Sequence, residues 1–355
     1  MSGSAAARHY GYSSARAKAM GSELIARKAM QEIINAKDVS TMIQILYQGE
    51  FKKDIEEFGG LEIKNDLIDF ALSRNLAKSV VKLIQISPTT ERKLMRAIAG
   101  KWELYNVKLA MEAKNRKQSY EEIAKYVIDY GRYDATVIKE AMREETIEGM
   151  LNKFMLNSPY AEILRSALET YKKSRSTFDA VAEIDKSYYK LLGNVIIGLR
   201  VVHNESARII KMEIDMKNIL LLIKAKRLGI KFQAFGSSLI ESGNLSMQEL
   251  EQLYNSSKDV ESLTSQVKIY DLKSATDIYK NSDTKHLLVF EIGMKNSIFN
   301  SSVSLLRHSI LSFGAILAYA YMKEIEIYTL RIAINSRLYG LTKEETQRLM
   351  VWKAE

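Results

Sequence analysis

The sequence predicts an all-α protein, and three observations carry that prediction. Only 2 prolines interrupt 355 residues, so helices run almost unbroken. Apolar residues recur at helical spacing, and no segment sustains period-2 alternation between turn signals. The stretch E-L-Y-N-V-K-L-A-M-E-A-K at 103–114 also returns as D-M-K-N-I-L-L-L-I-K-A-K at 215–226. In both, an acid stands three residues before an Asn, and Ala-Lys closes the stretch. A Gly follows each Asn by 25 residues, Gly131 after Asn106 and Gly243 after Asn218. A weaker echo is E-I-Y-T-L-R-I-A-I-N-S-R at 326–337. Self-similarity at a fixed offset marks copies of one helical unit.

The elements follow in order. Residues 1–9 have no apolar run and read as a flexible tail. Residues 10–37 carry one apolar stripe (Ala15, Ala19, Leu24, Met30, Ile33, Ile34), which predicts a single helix. Asp38 or Ser40 caps the next, and Gly49, Gly59 and Gly60 mark a joint. Helical spacing resumes over 61–86. Pro88 then opens a long helix over 91–117, followed by helices at 119–130, 134–155, 160–175 and 178–200. Another long helix covers 201–228 and ends at Gly229. Ser246 with Glu249 forms a capping box before 246–256. Shorter helices follow at 259–266 and 270–279, then a turn at 281–284 and a helix at 285–300. Residues 302–338 read as one very long helix, and Thr342 with Glu345 caps the last short one. Phe51 with Ile55, Tyr160 with Leu164, and Tyr270 recur as a second element of the repeat. The expected units are therefore 10–100, 101–212 and 213–322, with a half unit at 323–355.

Composition narrows the function. The absence of Cys excludes disulfides and thiolate metal sites and fits a reducing cytosol. The net charge of +9 comes from 52 bases interleaved with 43 acids, which describes a solvated mixed surface better than a nucleic-acid-binding face. The only local bias is the start, where Arg8, Arg16 and Lys18 meet no acid before Glu23. The longest apolar stretch, 309–322, is 14 residues between charged flanks. A bilayer span needs about 20, so it reads as a buried helix of a soluble protein.

No chemistry-bearing constellation emerges. His9, His203, His286 and His308 have no ligand partner at helical spacing, and HExxH and GxSxG are missing. Gly193 and Gly198 have the spacing of a phosphate loop, but Leu199-Arg200 stands where Lys-Ser/Thr is needed, on a helical run. Adjacent acids such as Glu121-Glu122, Glu144-Glu145 and Glu344-Glu345 diverge on a helix and read as solvated faces or caps. No catalytic residue, cofactor or metal is expected. The competing readings are an unrelated helical scaffold, a basic nucleic-acid binder and an all-α enzyme.

The ordered set Asp215, Asn218, Ala225-Lys226, then Lys323, Glu324, Glu326, Leu330-Arg331 and Gly340-Leu341, resembles a known family. It is the family of the C subunits of archaeal and bacterial A/V-type ATPases (ATP synthases), relatives of the d subunit of eukaryotic V-ATPases. The opening Y-G-Y-S-S-A-R-A-K at 10–18 is similar to that family's start, and I-D-K-S-Y-Y-K-L-L at 184–192 to its Asp-x-x-Tyr helix. Thr329 departs from the pattern, which has Asn there. The resemblance implies a pseudo-threefold funnel of three helical domains. It implies a single, non-catalytic rotor subunit, peripheral on the cytoplasmic face of the membrane. Its partners would be the D and F subunits of the central shaft and the proteolipid ring, with torque coupling ATP turnover to proton or sodium transport. Arg16, Lys18, Asn106, Lys108, Asn218 and Arg331 are the candidate partner contacts. The alternative for each Asn is a backbone clasp at a helix joint.

Overall fold

The computed structural model describes residues 3–62, 67–199, 204–282 and 285–351. Among these residues the protein is helical throughout and contains no strand. Two compact units form, one from the described parts of Met1–Met42 and Arg200–Glu355, the other from Ile43–Leu199.

In the Ile43–Leu199 unit the organising element is the helix Thr89–Asn115. Leu94, Met95, Ile98, Val107 and Met111 bury its apolar side. The helices Ala161–Ser174 and Thr177–Leu199 pack on each other as an antiparallel pair, and the second also lies against Thr89–Asn115. Helix Ile68–Ile86 covers part of the same helix, with its middle held by Asp54, which accepts from Asn75 and Lys78. Two expected helices are shorter. Residues 134–155 divide into Ala135–Ala141 and Ile147–Met155, because Thr146 acts as an N-cap whose hydroxyl accepts from Gly149 N–H. Residues 119–130 give only Tyr120–Ile123, under a Ser119–Glu122 capping box, and a 3₁₀ turn at Ala124–Tyr126.

The other unit has two central helices, Asn204–Arg227 and Gly314–Leu338. Every residue from Gly314 to Lys323 is buried, so the 314–322 part of the apolar stretch is core, whereas 309–313 is a turn in which Ile310 is 80% exposed. Among the described residues no helix is long and apolar enough to cross a membrane. The chain enters this unit as helix Gly3–Ser22, which begins ahead of the expected start and packs on Gly314–Leu338. The single helix expected at 10–37 is broken at 23–26 and resumes as Arg27–Asn35. The long helix expected at 302–338 is likewise two, Leu288–His308 and Gly314–Leu338. Between them Leu311 takes φ +51°, and a side chain at Gly314 would meet Ser309 Oγ at 2.4 Å. His203, Arg200 and the 283–284 half of the expected turn lie outside the described residues.

Three helices end alike. Lys117, Gly229 and Gly340 are left-handed (φ +58°, +66°, +71°). The following N–H groups of Gln118, Ile230 and Leu341 reach back to the carbonyls of Ala113, Ala225 and Ser336 at 2.9–3.0 Å. These are Schellman closures, spaced by the repeat. Gly229 announces one in the sequence, whereas Lys117 hides another, since a non-glycine left-handed residue leaves no sequence signal.

Candidate functional site

The repeated acid, Asn and Lys make one polar latch, built twice. In the first copy Asn106 is wholly buried and clasps the loop after its helix. Its amide donates to the carbonyls of Ile128 (2.7 Å) and Tyr133 (2.8 Å) and accepts from Ile128 N–H (3.0 Å). Glu103, one turn earlier, accepts Arg132 N–H (2.5 Å) and the Tyr160 hydroxyl (2.9 Å). Lys114, two turns later, donates to Met142 carbonyl at 3.0 Å. Helical spacing puts these three side chains on one face, so one helix holds three points of the chain that follows.

In the second copy Asn218 donates to Ile240 carbonyl and accepts Ile240 N–H, both at 2.8 Å. Asp215 accepts the backbone N–H groups of Asn244 (2.9 Å) and Leu245 (3.1 Å) and the Asn244 side chain (2.9 Å). Lys226 donates to the carbonyls of Tyr254 (2.7 Å) and Ser257 (3.0 Å) and stands 3.7 Å above the Tyr254 ring. The separations repeat between copies: 22 residues from Asn to its clasped amide, 29 from acid to the N–H it accepts, 28 from Lys to the carbonyl it reaches.

The Asn-to-Gly spacing now has a cause. A Cβ on Gly131 would lie 2.5 Å from the Glu103 carboxyl carbon, and one on Gly243 would lie 2.1 Å from Asp215 Oδ1. Each glycine lets the loop backbone close onto a buried carboxylate. Burial pushes both carboxyls above their ordinary range, and the hydrogen bonds they accept oppose the rise. Around Glu103, burial lifts the Tyr133 phenol to about 12.

The echo at 326–337 completes a third latch with the start of the chain. Glu326 is wholly buried, accepts Ile25 N–H at 2.6 Å, and is paired with buried Lys323 at 2.6 Å. Arg337 stands where Lys114 and Lys226 stand and donates to Ile34 carbonyl at 3.2 Å. The pull of Glu326 on Ile25 falls at the break in the expected 10–37 helix. Thr329 occupies the Asn position; its buried hydroxyl has no hydrogen-bond partner among the described residues, being too short to clasp a loop. Sequence reading missed this closure because its partners lie 301 and 303 residues apart.

The residues singled out from sequence divide accordingly. Asn106 and Asn218 are latch groups. Lys108 pairs with Asp185 at 2.5 Å, on the Asp-x-x-Tyr helix whose Tyr188 hydroxyl donates to Ala97 carbonyl at 3.0 Å. Arg331 is half-buried on Gly314–Leu338, and Arg16 and Lys18 are half-exposed on Gly3–Ser22. Gly193 lies inside a continuous helix rather than a phosphate-binding turn. Among the described residues no three His, Cys, Asp or Glu are placed to hold a metal.

Residues 13–349 match the family described as ATP synthase (C/AC39) subunit. The chain belongs to that family. It is similar to the A-type ATP synthase C subunit of Thermoplasma acidophilum, 21% identical over 95% of this chain and 96% of the relative. It is likewise similar to the C subunits of Methanococcoides burtonii (25%, over 97% and 94%) and Thermococcus kodakarensis (24%, over 94% and 88%). Membership in the C/AC39 family makes the chain a subunit of an ATP synthase. It also gives the latch a setting, a repeated device that fixes helix to loop in a part of a larger machine.

Proposed function

We propose that this chain is a non-catalytic central-stalk subunit of an A-type ATP synthase. In this reading one copy sits peripherally at the cytoplasmic face of the membrane. It receives the shaft formed by the D and F subunits and stands on the proteolipid ring, passing torque between ATP turnover and ion transport. Three repeat units, 10–100, 101–212 and 213–322, with a half unit at 323–355, would surround the shaft axis as a funnel.

The observation that carries the reading is the latch. Most of its charged and amide groups are spent on the chain's own backbone, which makes stiff joints. A torque coupler needs such stiffness. Of the residues nominated for partner contact, Arg16 and Lys18 extend from a helix with an open face, and these are the ones we assign to partners.

The test is a pull-down of the tagged full chain against co-expressed D–F pair and, separately, against detergent-solubilised ring. Retention of both is expected. Retention of neither would remove the rotor assignment and favour an unrelated scaffold.

A further inference from the structure

Asn106 and Asn218 clasp the chain's own backbone, but Asn296 and Asn300 stand instead on the wall of a groove. The groove lies between helix Lys273–Asn281 and helix Leu288–His308, which run antiparallel. At one level the Tyr279 and Phe290 rings meet at 5.1 Å. At the next, a Cβ on Gly293 would stand 3.2 Å from Leu272 and 3.3 Å from Ala275. This register gives the groove two ends. Ile278 and Val289 line the apolar one, and Asn296 and Asn300 the polar one. Val289, Gly293, Asn296 and Asn300 follow at three- and four-residue steps, so they share one helix face about 16 Å long.

Among the described residues neither Asn296 nor Asn300 has a hydrogen-bond partner for its side chain. Asn296 is half-buried and Asn300 exposed. Ser297 beside them spends its hydroxyl on Gly293 carbonyl at 3.2 Å. Asp271 and Arg348, both exposed, complete the lining with one charge of each sign.

We propose that this groove takes an extended segment of another polypeptide. Asn296 and Asn300 hold its main chain, and one apolar side chain lies against Ile278 and Val289. A peptide backbone presents a donor and an acceptor at each residue, and a carboxamide answers both in one plane. Asn218 shows that geometry within this chain, holding the N–H and C=O of Ile240, both at 2.8 Å. Spacing favours an extended occupant. Residues four apart on a helix rise by about 6 Å, and alternate residues of a strand by about 6.6 Å. Two asparagines at that spacing therefore meet alternate residues of one strand, and the whole face fits about five residues. An anionic lipid or a nucleic acid is disfavoured, because Asp271 offsets Arg348 and the amides carry no charge.

The inference goes beyond the stalk assignment and does not rest on it, since the isolated full chain tests it. The chain is made with isotope-labelled asparagine and titrated with the blocked peptide acetyl-Leu-Ala-Ala-Ala-Ala-amide in an NMR experiment. The side-chain resonances of Asn296 and Asn300, identified by their loss in Asn296→Ala and Asn300→Ala, should shift and saturate at millimolar peptide. Each variant weakens binding about tenfold, having lost two main-chain hydrogen bonds. Both variants keep the parent's melting temperature, because neither amide bonds the chain itself. The same peptide N-methylated along its backbone lacks the donors and binds at least about tenfold more weakly. Lys258→Ala, an exposed position outside the groove, binds as the parent does. No shift at millimolar peptide, equal binding of the N-methylated peptide, or parent-like binding by both asparagine variants overturns the proposal. So does a response of these resonances to decanoate but not to the peptide.

Discussion

Removing the Asn of a latch separates a joint from a contact. In Asn218→Ala, Ile240 loses the partners of both its N–H and its C=O, and Ile240 is only 6% exposed. A buried backbone group left unpaired costs about 1–3 kcal/mol, so the pair, with the small void left by the amide, costs about 3–5 kcal/mol. In Asn106→Ala three bonds go and the cost is about 4–6 kcal/mol by the same reasoning. For units of this size each kcal/mol lowers Tm by about 2–4 °C, so Asn218→Ala should melt roughly 6–20 °C earlier. Calorimetry of the full chain reads this directly. Amide exchange gives a local readout: Ile240 N–H, and Ile128 N–H in the other variant, lose protection before their neighbours. Lys224→Ala, exposed on the same helix as Asn218, should stay within about 0.5 kcal/mol. A Tm shift below about 2 °C with Ile240 still protected would refute the joint. Unchanged stability with lost binding of the D–F pair would make Asn218 a contact instead.

Two further outcomes follow from the same geometry. Gly243→Ala sets a methyl 2.1 Å from Asp215 Oδ1 at a backbone conformation alanine tolerates, so its cost is steric, about 1–3 kcal/mol, read in a guanidinium melt. Gly131→Ala adds a left-handed φ of +73° to the clash with Glu103 and should cost more by about 1 kcal/mol. For pH, a carboxyl whose folded pKa lies above its unfolded value holds its proton longer in the folded chain. Its contribution is then fully present below the unfolded value, about 4, and is lost as pH rises through the folded value. Burial raises Asp215 in this sense, so Asp215→Asn should flatten the fall in unfolding free energy across that window. A slope equal to the parent's would show that Asp215 titrates alike folded and unfolded.

The helical class and the two copies of the latch helix were legible because local rules govern them: few prolines, helical spacing, capping boxes at Ser246 and Thr342 that the structure retains. The Asn, the acid and the Gly were visible as a pattern, but their meaning was not. Sequence spacing shows that Asn106 and Gly131 recur together; only the fold shows that Glu103 needs the space a side chain at Gly131 would fill. The helix breaks at 23–26 and 309–313 were missed for a related reason. Local signals there are weak, and Glu326 and Ser14, each about 300 residues away, take backbone groups at the two breaks. Long-range hydrogen bonds overrode a sound apolar stripe.

The third latch shows what distance does to such a device. The internal latches close over 22 to 29 residues and can form as soon as their own helix and loop exist. The terminal one joins residues 301 apart, so it must wait for the chain between them to be in place. A lone amide is a weak clasp for that closure. At this position the chain has Thr329 instead and relies on a carboxylate, Glu326, whose charge is matched by Lys323 inside the same helix. A charged acceptor makes a hydrogen bond roughly twice as strong as a neutral one, and a buried carboxylate tolerates no loss of its partners. Ile25 is therefore committed to its place once the ends meet. The copy without the Asn signature is the one whose closure joins the start of the chain to the last long helix.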